Sequence, residues 1–300
     1  MREIIAKIRK YEIRIRKTVN TQMKGDYHSV FKGSGLQFDD IRQYDYGDDV
    51  RTVNWNVSAK GDGIYVNTYK EEKEQNVFFI LDVSGSQNIG QEGSKKIDMA
   101  KEICAVLAVS AVKEGSSVGF LSFSDQKEKF VKPNKGVKHS YNILKGIFEH
   151  QNLSTRTNIT RALALTLNMV KRKSIIILIS DFIDDGYEVL LKAMAKRHDL
   201  IVLHISDNRE KQIPPLGIVE FFDVENNRKV WINTSSERAR EKLLSGYHER
   251  GEKLNKMART VNANYLYLNT SEDYITEKNG EYPAYLAKLI KLFKVRNISR

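Results

Sequence analysis

Two short, unbroken apolar runs, Val77–Leu81 and Ile175–Ile179, constrain this 300-residue chain more than any other feature, and Leu200–Ile205, interrupted only by His204, reads as a third strand of the same kind. A strand with one wet face alternates apolar and polar residues. An unbroken run of this length is what a strand needs when both of its faces are covered. Between and around these runs lie segments of helical period, at Ile97–Val112, Tyr141–Phe148, Ile159–Val170 and Tyr187–Arg197. Ser117–Phe123 and Lys127–Val131 read as a hairpin around Ser124-Asp-Gln, and Ile218–Phe222 and Lys229–Ile232 as two further short strands. Ser236–Val261 predicts a long helix, Tyr265–Leu268 a last strand, and the segment from Tyr282 onward a closing helix. Strands alternating with helices predict an α/β domain with a doubly wound, mainly parallel, Rossmann-like sheet. At 41% hydrophobic and 29% charged, the chain has the apolar material for such a core.

Before residue 76 the pattern differs. Residues 25–75 are rich in Gly, Asp and aromatics and have no helical period. Val53–Val57 and Ile64–Tyr69 alternate as strands do, around a Gly61-Asp-Gly turn. Residues 1–24 read as a basic helix with Ile4, Ile8, Tyr11 and Ile15 on one stripe. The expected organisation is therefore an N-terminal basic helix and β-rich arm over 1–75, and an α/β domain closed by a basic helix over 76–300. The net charge is +11. Residues 1–24 and 284–300 account for all of it, so the body between them is formally neutral and lacks the character of a nucleic-acid-binding domain. No nucleic acid is expected as a partner, although the basic ends suit an acidic protein surface or peripheral contact with an anionic membrane. No apolar run approaches the length of a membrane span, and no apolar core follows the basic N-terminus as in a secretory signal. The single cysteine, Cys104, sits in an apolar run and excludes an internal disulfide. A cytoplasmic protein is the expectation.

Open α/β sheets place their sites at the carboxyl ends of their strands. The first apolar run ends in Asp82-Val-Ser84-Gly-Ser86 and the second in Ser180-Asp181. Between them, Ser154-Thr155-Arg156-Thr157-Asn158 precedes a helix. Any one of these residues could simply cap a helix or a turn. Together they offer two carboxylates and several hydroxyls, oxygen donors suited to a hard cation: Mg2+ first, Mn2+ or Ca2+ as substitutes. Neither histidine nor thiol lies in these loops, which argues against zinc.

The pattern Asp-x-Ser-x-Ser, then Thr, then Asp resembles the metal-ion-dependent adhesion site of von Willebrand factor A domains. The resemblance implies a metal held by Asp82, Ser84, Ser86, Thr157 and Asp181, with one position left open for a carboxylate of a partner protein. Thr157 is favoured over Thr155 because it directly precedes the helix cap. Upstream, residues 33–60 read Gly33-x-Gly35-x-x-Phe38-x-x-Ile41-Arg42-x-Tyr44-x-x-Gly47-Asp48-Asp49-x-Arg51-x-Val53-x-Trp55-x-x-Ser58-Ala59-Lys60. This resembles the signature of a large bacterial family, domain of unknown function family 58, in which it stands just before a von Willebrand A-like domain. That resemblance implies partnership with a MoxR-type AAA+ ATPase or its client, in a chaperone-like or complex-assembly role. On the residues alone, Arg42 and Arg51 are placed to pair with Asp48, Asp49 or Asp39, and Tyr44 and Trp55 to anchor the arm against the sheet. The same residues could instead form a recognition surface.

Enzyme readings fare less well. A dehalogenase-type phosphatase needs a second carboxylate where Ser84 stands. A Mg2+-dependent nuclease needs three or four converging carboxylates; Asp82, Asp181, Asp184 and Asp185 could be enlisted, but the hydroxyls would then be unexplained. The chain has neither a Gly-x-Ser-x-Gly elbow nor a P-loop. A non-enzymatic, metal-dependent protein-interaction module is the expected function. A phosphoester hydrolase, and a nucleic-acid or membrane-surface binder working through the basic ends, are the alternatives.

Overall fold

The computed structural model describes residues 32–149, 154–210, 214–223, 228–272, 274–277 and 280–298. The basic helix expected over 1–24 lies outside these residues.

The central sheet has six strands: β3 (Asn76–Asp82), β4 (Ser117–Phe123), β5 (Lys127–Asn134), β6 (Ile175–Ser180), β7 (Asp199–Ser206) and β10 (Asn264–Asn269). Their spatial order is β10-β7-β6-β3-β4-β5. All neighbours are parallel except β4 and β5, which form the expected hairpin. The helices follow in turn: α1 (Lys96–Lys113), α2 (Val137–Phe148), α3 (Ile159–Met169), α4 (Glu188–Arg197), α5 (Glu237–Thr260) and α6 (Ala284–Ile298). The doubly wound, mainly parallel α/β architecture is thus present.

The two-residue period of a strand explains why the apolar runs are unbroken. In β3, Val77, Phe79 and Leu81 pack on one side with Ile103 and Leu107 of α1, Ile143 of α2 and Leu289 of α6. Phe78 and Ile80 pack on the other with Leu163 of α3, Leu191 of α4 and Leu254 of α5. Both faces are dry, and residues 77–82 of β3 are all buried. Cys104 lies fully buried on α1, where burial pushes its thiol well above the usual range.

Among the described residues four hairpins stand apart from this sheet, the smallest pairing Gly90–Gln91 with Ser94–Lys95 just before α1. β1 (Lys32–Gln43) and β2 (Tyr65–Glu74) pair antiparallel in the arm. β8 (Ile218–Asp223) pairs with β9 (Arg228–Asn233), and β11 (Tyr274–Glu277) with β12 (Gly280–Pro283).

The arm departs from expectation in two respects. Val53–Val57 is not a strand: Val53 makes a single bridge to Val66, and Trp55–Ser58 forms one helical turn capped by Asn54, whose Oδ1 accepts the Val57 N–H at 3.1 Å. Alternation in five residues is too short a signal to resist a good N-cap. Trp55 is not a buried anchor either. It is 66% exposed, as are its neighbours Val50 at 62% and Tyr46 at 101%, while Tyr44 is half-buried. What locks this turn is the expected ion pair: Arg42 grips Asp48 with two parallel bonds of 2.8 and 2.6 Å, and Asp48 also accepts the Asp45 N–H. Arg51 and Asp49 are both exposed, 3.5 Å apart, and the Asp49 carboxylate accepts the Arg51 N–H.

One backbone approach is tight enough to test. A Cβ on Gly119, in β4, would stand 2.5 Å from the Phe78 ring and 2.7 Å from Pro133. Gly119→Ala should therefore lower unfolding free energy by about 1–3 kcal/mol, measured by urea denaturation.

Candidate functional site

The chain leaves β3 to build β4 and β5 on one side, then crosses back to lay β6 on the other. The loops after β3 and β6 consequently part at the carboxyl edge, which is the switch point where such sheets bind ligands. Asp82 and Ser180 end these two adjacent strands. The Ser180 hydroxyl donates to Asp82 Oδ2 at 2.6 Å, and the Ser84 N–H donates to Asp82 Oδ1 at 2.9 Å. Ser84 Oγ and Ser86 Oγ lie 3.1 Å apart, and Ser86 hydrogen-bonds the Asp181 carboxylate. The loop before α3 is drawn in by the Gly85 N–H, which donates to the Thr155 carbonyl at 2.7 Å.

The structure thus places Asp82, Ser84, Ser86 and Asp181 in one connected group. Asp82, Ser84 and Asp181 are buried, and Ser86 is half-buried. Thr157 is half-buried two residues beyond the Thr155 tether, whereas Thr155 itself is exposed. Asn158 caps α3 by accepting the Arg161 N–H at 2.7 Å.

Two features of the β6 loop bear on the alternatives. Phe182 adopts a left-handed backbone (φ 57°), unusual for a bulky residue and concentrated at functional sites. Asp184 accepts the Ile159 N–H at the start of α3 at 2.7 Å, and Asp185 is exposed. These two carboxylates serve the helix end and the surface. Among the described residues there is no cluster of three or more His, Cys, Asp or Glu side chains able to hold a metal. Asp184 and Asp185 thus do not extend Asp82 and Asp181 into a larger carboxylate cluster among these residues.

The electrostatics are unusual. Burial, then the neighbouring Asp181 charge, push the Asp82 carboxyl up to about 7, against the hydrogen bonds from Ser180 and Ser84. Burial would raise Asp181 as well, but the Lys96 ammonium holds it below the ordinary carboxylate value. Lys96 was not foreseen from the sequence. It opens α1, its side chain has no exposed surface, and its Nζ donates to Asp181 Oδ2 at 2.7 Å and to Glu210 Oε1. Desolvation works against this ammonium, yet Asp181 and Glu210 hold its pKa above the usual lysine value. No local signal separates Lys96 from Lys95, which precedes it and is half-buried. Gln87 was likewise missed: it is 1% exposed, its amide faces Asp82 Oδ2 at 3.4 Å, and its Oε1 has no partner.

The donor set fits a hard divalent cation. Cis ligands of Mg2+ at roughly 2.0–2.1 Å lie about 3 Å apart, and the two serine hydroxyls are at that spacing. Two carboxylates that repel each other and a buried amide oxygen without a partner are the surroundings in which a cation relieves cost.

The metal-free protein carries a pH signature. With its pKa raised, Asp82 keeps a proton in the folded state that the unfolded chain releases from about pH 4 upward. Its contribution is full at low pH and is lost as pH rises through about 7. Asp82→Asn, which mimics the neutral acid, should flatten this slope. In chelator it should be more stable than the parent at pH 8 and close to it at pH 5, measured by urea unfolding at both values.

Comparison with known proteins places the chain. It is 24% identical over 227 residues to "Uncharacterized protein Rv1480" of Mycobacterium tuberculosis, a match covering 75% of this chain and 72% of that one. Among solved structures it is similar to the conserved hypothetical protein BatB from Bacteroides thetaiotaomicron, with a TM-score of 0.44 and 16% identity, covering 75% of this chain and 98% of that one. It is also similar to an aerotolerance-related membrane protein from Bacteroides fragilis, with a TM-score of 0.47 and 14% identity, covering 75% and 100%. The model of one family matches residues 40–253, from the arm's signature turn through most of the α/β domain, and the chain belongs to that family, described as "Protein of unknown function DUF58".

Proposed function

We propose that this chain is a non-enzymatic protein-interaction module that binds Mg2+ in the switch-point crevice and uses it to grip a carboxylate of a partner protein. The observation that carries the reading is the convergence of Asp82, Ser84, Ser86 and Asp181 in one connected group, with Asp82 pushed to about 7 by burial and by Asp181. In this reading Ser84 and Ser86 contact the metal, with Thr157 as the third hydroxyl. Asp82 and Asp181 balance its charge, partly through water. Few full negative charges then touch the ion directly, so it retains affinity for an outside Asp or Glu. The chain's own residues orient and desolvate this site, and no bond is made or broken. The partner that the family resemblance points to is a MoxR-type AAA+ ATPase or its client, in the cytoplasm. The hydrolase alternative draws no support from Asp184 and Asp185, given their roles at the α3 terminus and on the surface.

The test uses a purified MoxR-type ATPase from the same organism and the full chain. Binding is expected in Mg2+ and should weaken by about thirtyfold or more in EDTA and in Asp82→Ala with Ser84→Ala. Equal binding in all three conditions would overturn the metal-dependent grip. Steady hydrolysis of a phosphodiester or phosphomonoester in Mg2+, lost in Asp82→Ala, would replace the reading with an enzymatic one.

A further inference from the structure

A buried lysine inside a cation site needs explaining. Lys96 is fully buried at the start of α1, and its ammonium touches two carboxylates on different strand ends. Asp181 follows β6, inside the switch-point crevice. Glu210 closes the turn after β7, and its second oxygen accepts the Asp207 N–H at 3.0 Å. A fixed ammonium on Asp181 Oδ2 supplies positive charge where a metal would otherwise supply it, and it repels any cation that enters. Asp181 Oδ2 accepts from the ammonium at 2.7 Å while Oδ1 accepts the Ile183 N–H at 3.2 Å and Ser86 also bonds the carboxylate, so a metal drawing on Asp181 shares it with Lys96.

From this geometry we infer that Lys96 is a resident counter-ion of the crevice, which competes with the divalent cation for Asp181 and keeps the site's metal affinity low. The inference rests on the metal-binding reading above and adds a regulator to it. Glu210 makes the exchange feasible. When Asp181 turns toward a metal, the ammonium keeps a carboxylate partner and is not left buried and uncompensated. Loading of the crevice is thereby tied to the Asp207–Glu210 turn, because the Lys96–Glu210 contact takes over what Asp181 gives up. A site with this built-in competitor fills readily only when a further anionic oxygen arrives, which is the condition a partner carboxylate provides.

The two ends of the ion pair make predictions of opposite sign. Lys96→Met removes the competing charge and should tighten Mn2+ binding by at least about tenfold. Glu210→Gln removes a negative charge and leaves Lys96 to Asp181 alone, and should weaken binding severalfold. Mn2+ bound to full-length protein is read directly from the loss of the free-ion electron paramagnetic resonance signal, with no partner present. If the parent binds Mn2+ and Lys96→Met binds it no more tightly, the inference is wrong and the metal reading stands. Should Lys96→Met fail to fold, Glu210→Gln decides alone: unchanged or tighter binding overturns the inference. Absence of Mn2+ binding in the parent and in both variants overturns the metal reading and the inference together. Binding by Lys96→Met alone supports the competitor and confines the metal reading to the partner-bound state.

Discussion

Burial of β3 on both faces is the constraint on which the rest of this structure depends. Helices α1, α2 and α6 cover one side of the sheet, and α3, α4 and α5 the other. Water is therefore excluded up to the last residue of the strand, and that residue is Asp82. A carboxylate on an open sheet would be solvated and ordinary. Here it has no exposed surface, and its partners include the Ser180 hydroxyl, the Ser84 N–H and hydroxyl, and the Gln87 amide. The perturbed acidity, the ordering of the Ser84 and Ser86 hydroxyls and the crevice's demand for positive charge all follow from that exclusion.

The second consequence is the Lys96 bridge. Carboxylates gather at the carboxyl edge from neighbouring strand ends: Asp82 closes β3, Asp181 follows β6, and Asp207 and Glu210 follow β7. Left alone in a low-dielectric crevice they would repel one another. Lys96 engages two of them, and removing the lysine would leave both without their cation, a kind of loss that costs about 3–5 kcal/mol in a buried ion pair. The first turn of α1 is thereby fastened to two neighbouring strand ends. Structural tie and electrostatic competitor are the same group.

The family's signature turn works by different physics. Its arginine–aspartate fork is made and solvent-accessible, so its worth lies in the geometry it imposes on the Tyr44–Asp49 turn more than in free energy. Trp55, Tyr46 and Val50 are exposed on this turn and the segment just after it. The fork holds the turn without help from the largest aromatic ring nearby, Trp55, which stays 66% exposed.

The sequence by itself determined which segments are strands and helices in the α/β domain, and the order in which strand ends present their side chains. Five consecutive apolar residues at Val77–Leu81 and at Ile175–Ile179, rich in β-branched and aromatic side chains and bounded by polar residues, suit a doubly covered strand, and Asp82 and Asp181 end up beside each other because both follow such strands. The hydroxyl-and-carboxylate pattern was legible for the same reason: it sits in three short loops whose positions the strands dictate. The arm was less legible, because short alternation at Val53–Val57 cannot be told from a capped helical turn, and burial of Trp55 depends on neighbours that sequence does not name. Tertiary structure alone decided the charge balance of the crevice. Lys96 lies 85 residues from Asp181 and 114 from Glu210 along the chain. Nothing local marks it apart from Lys95, since helix phase at the start of α1 is what turns one lysine inward between two strand ends. Charge pairing inside a protein is a property of what the fold brings within a few ångströms, and one-dimensional spacing carries that information only where a regular element transmits it.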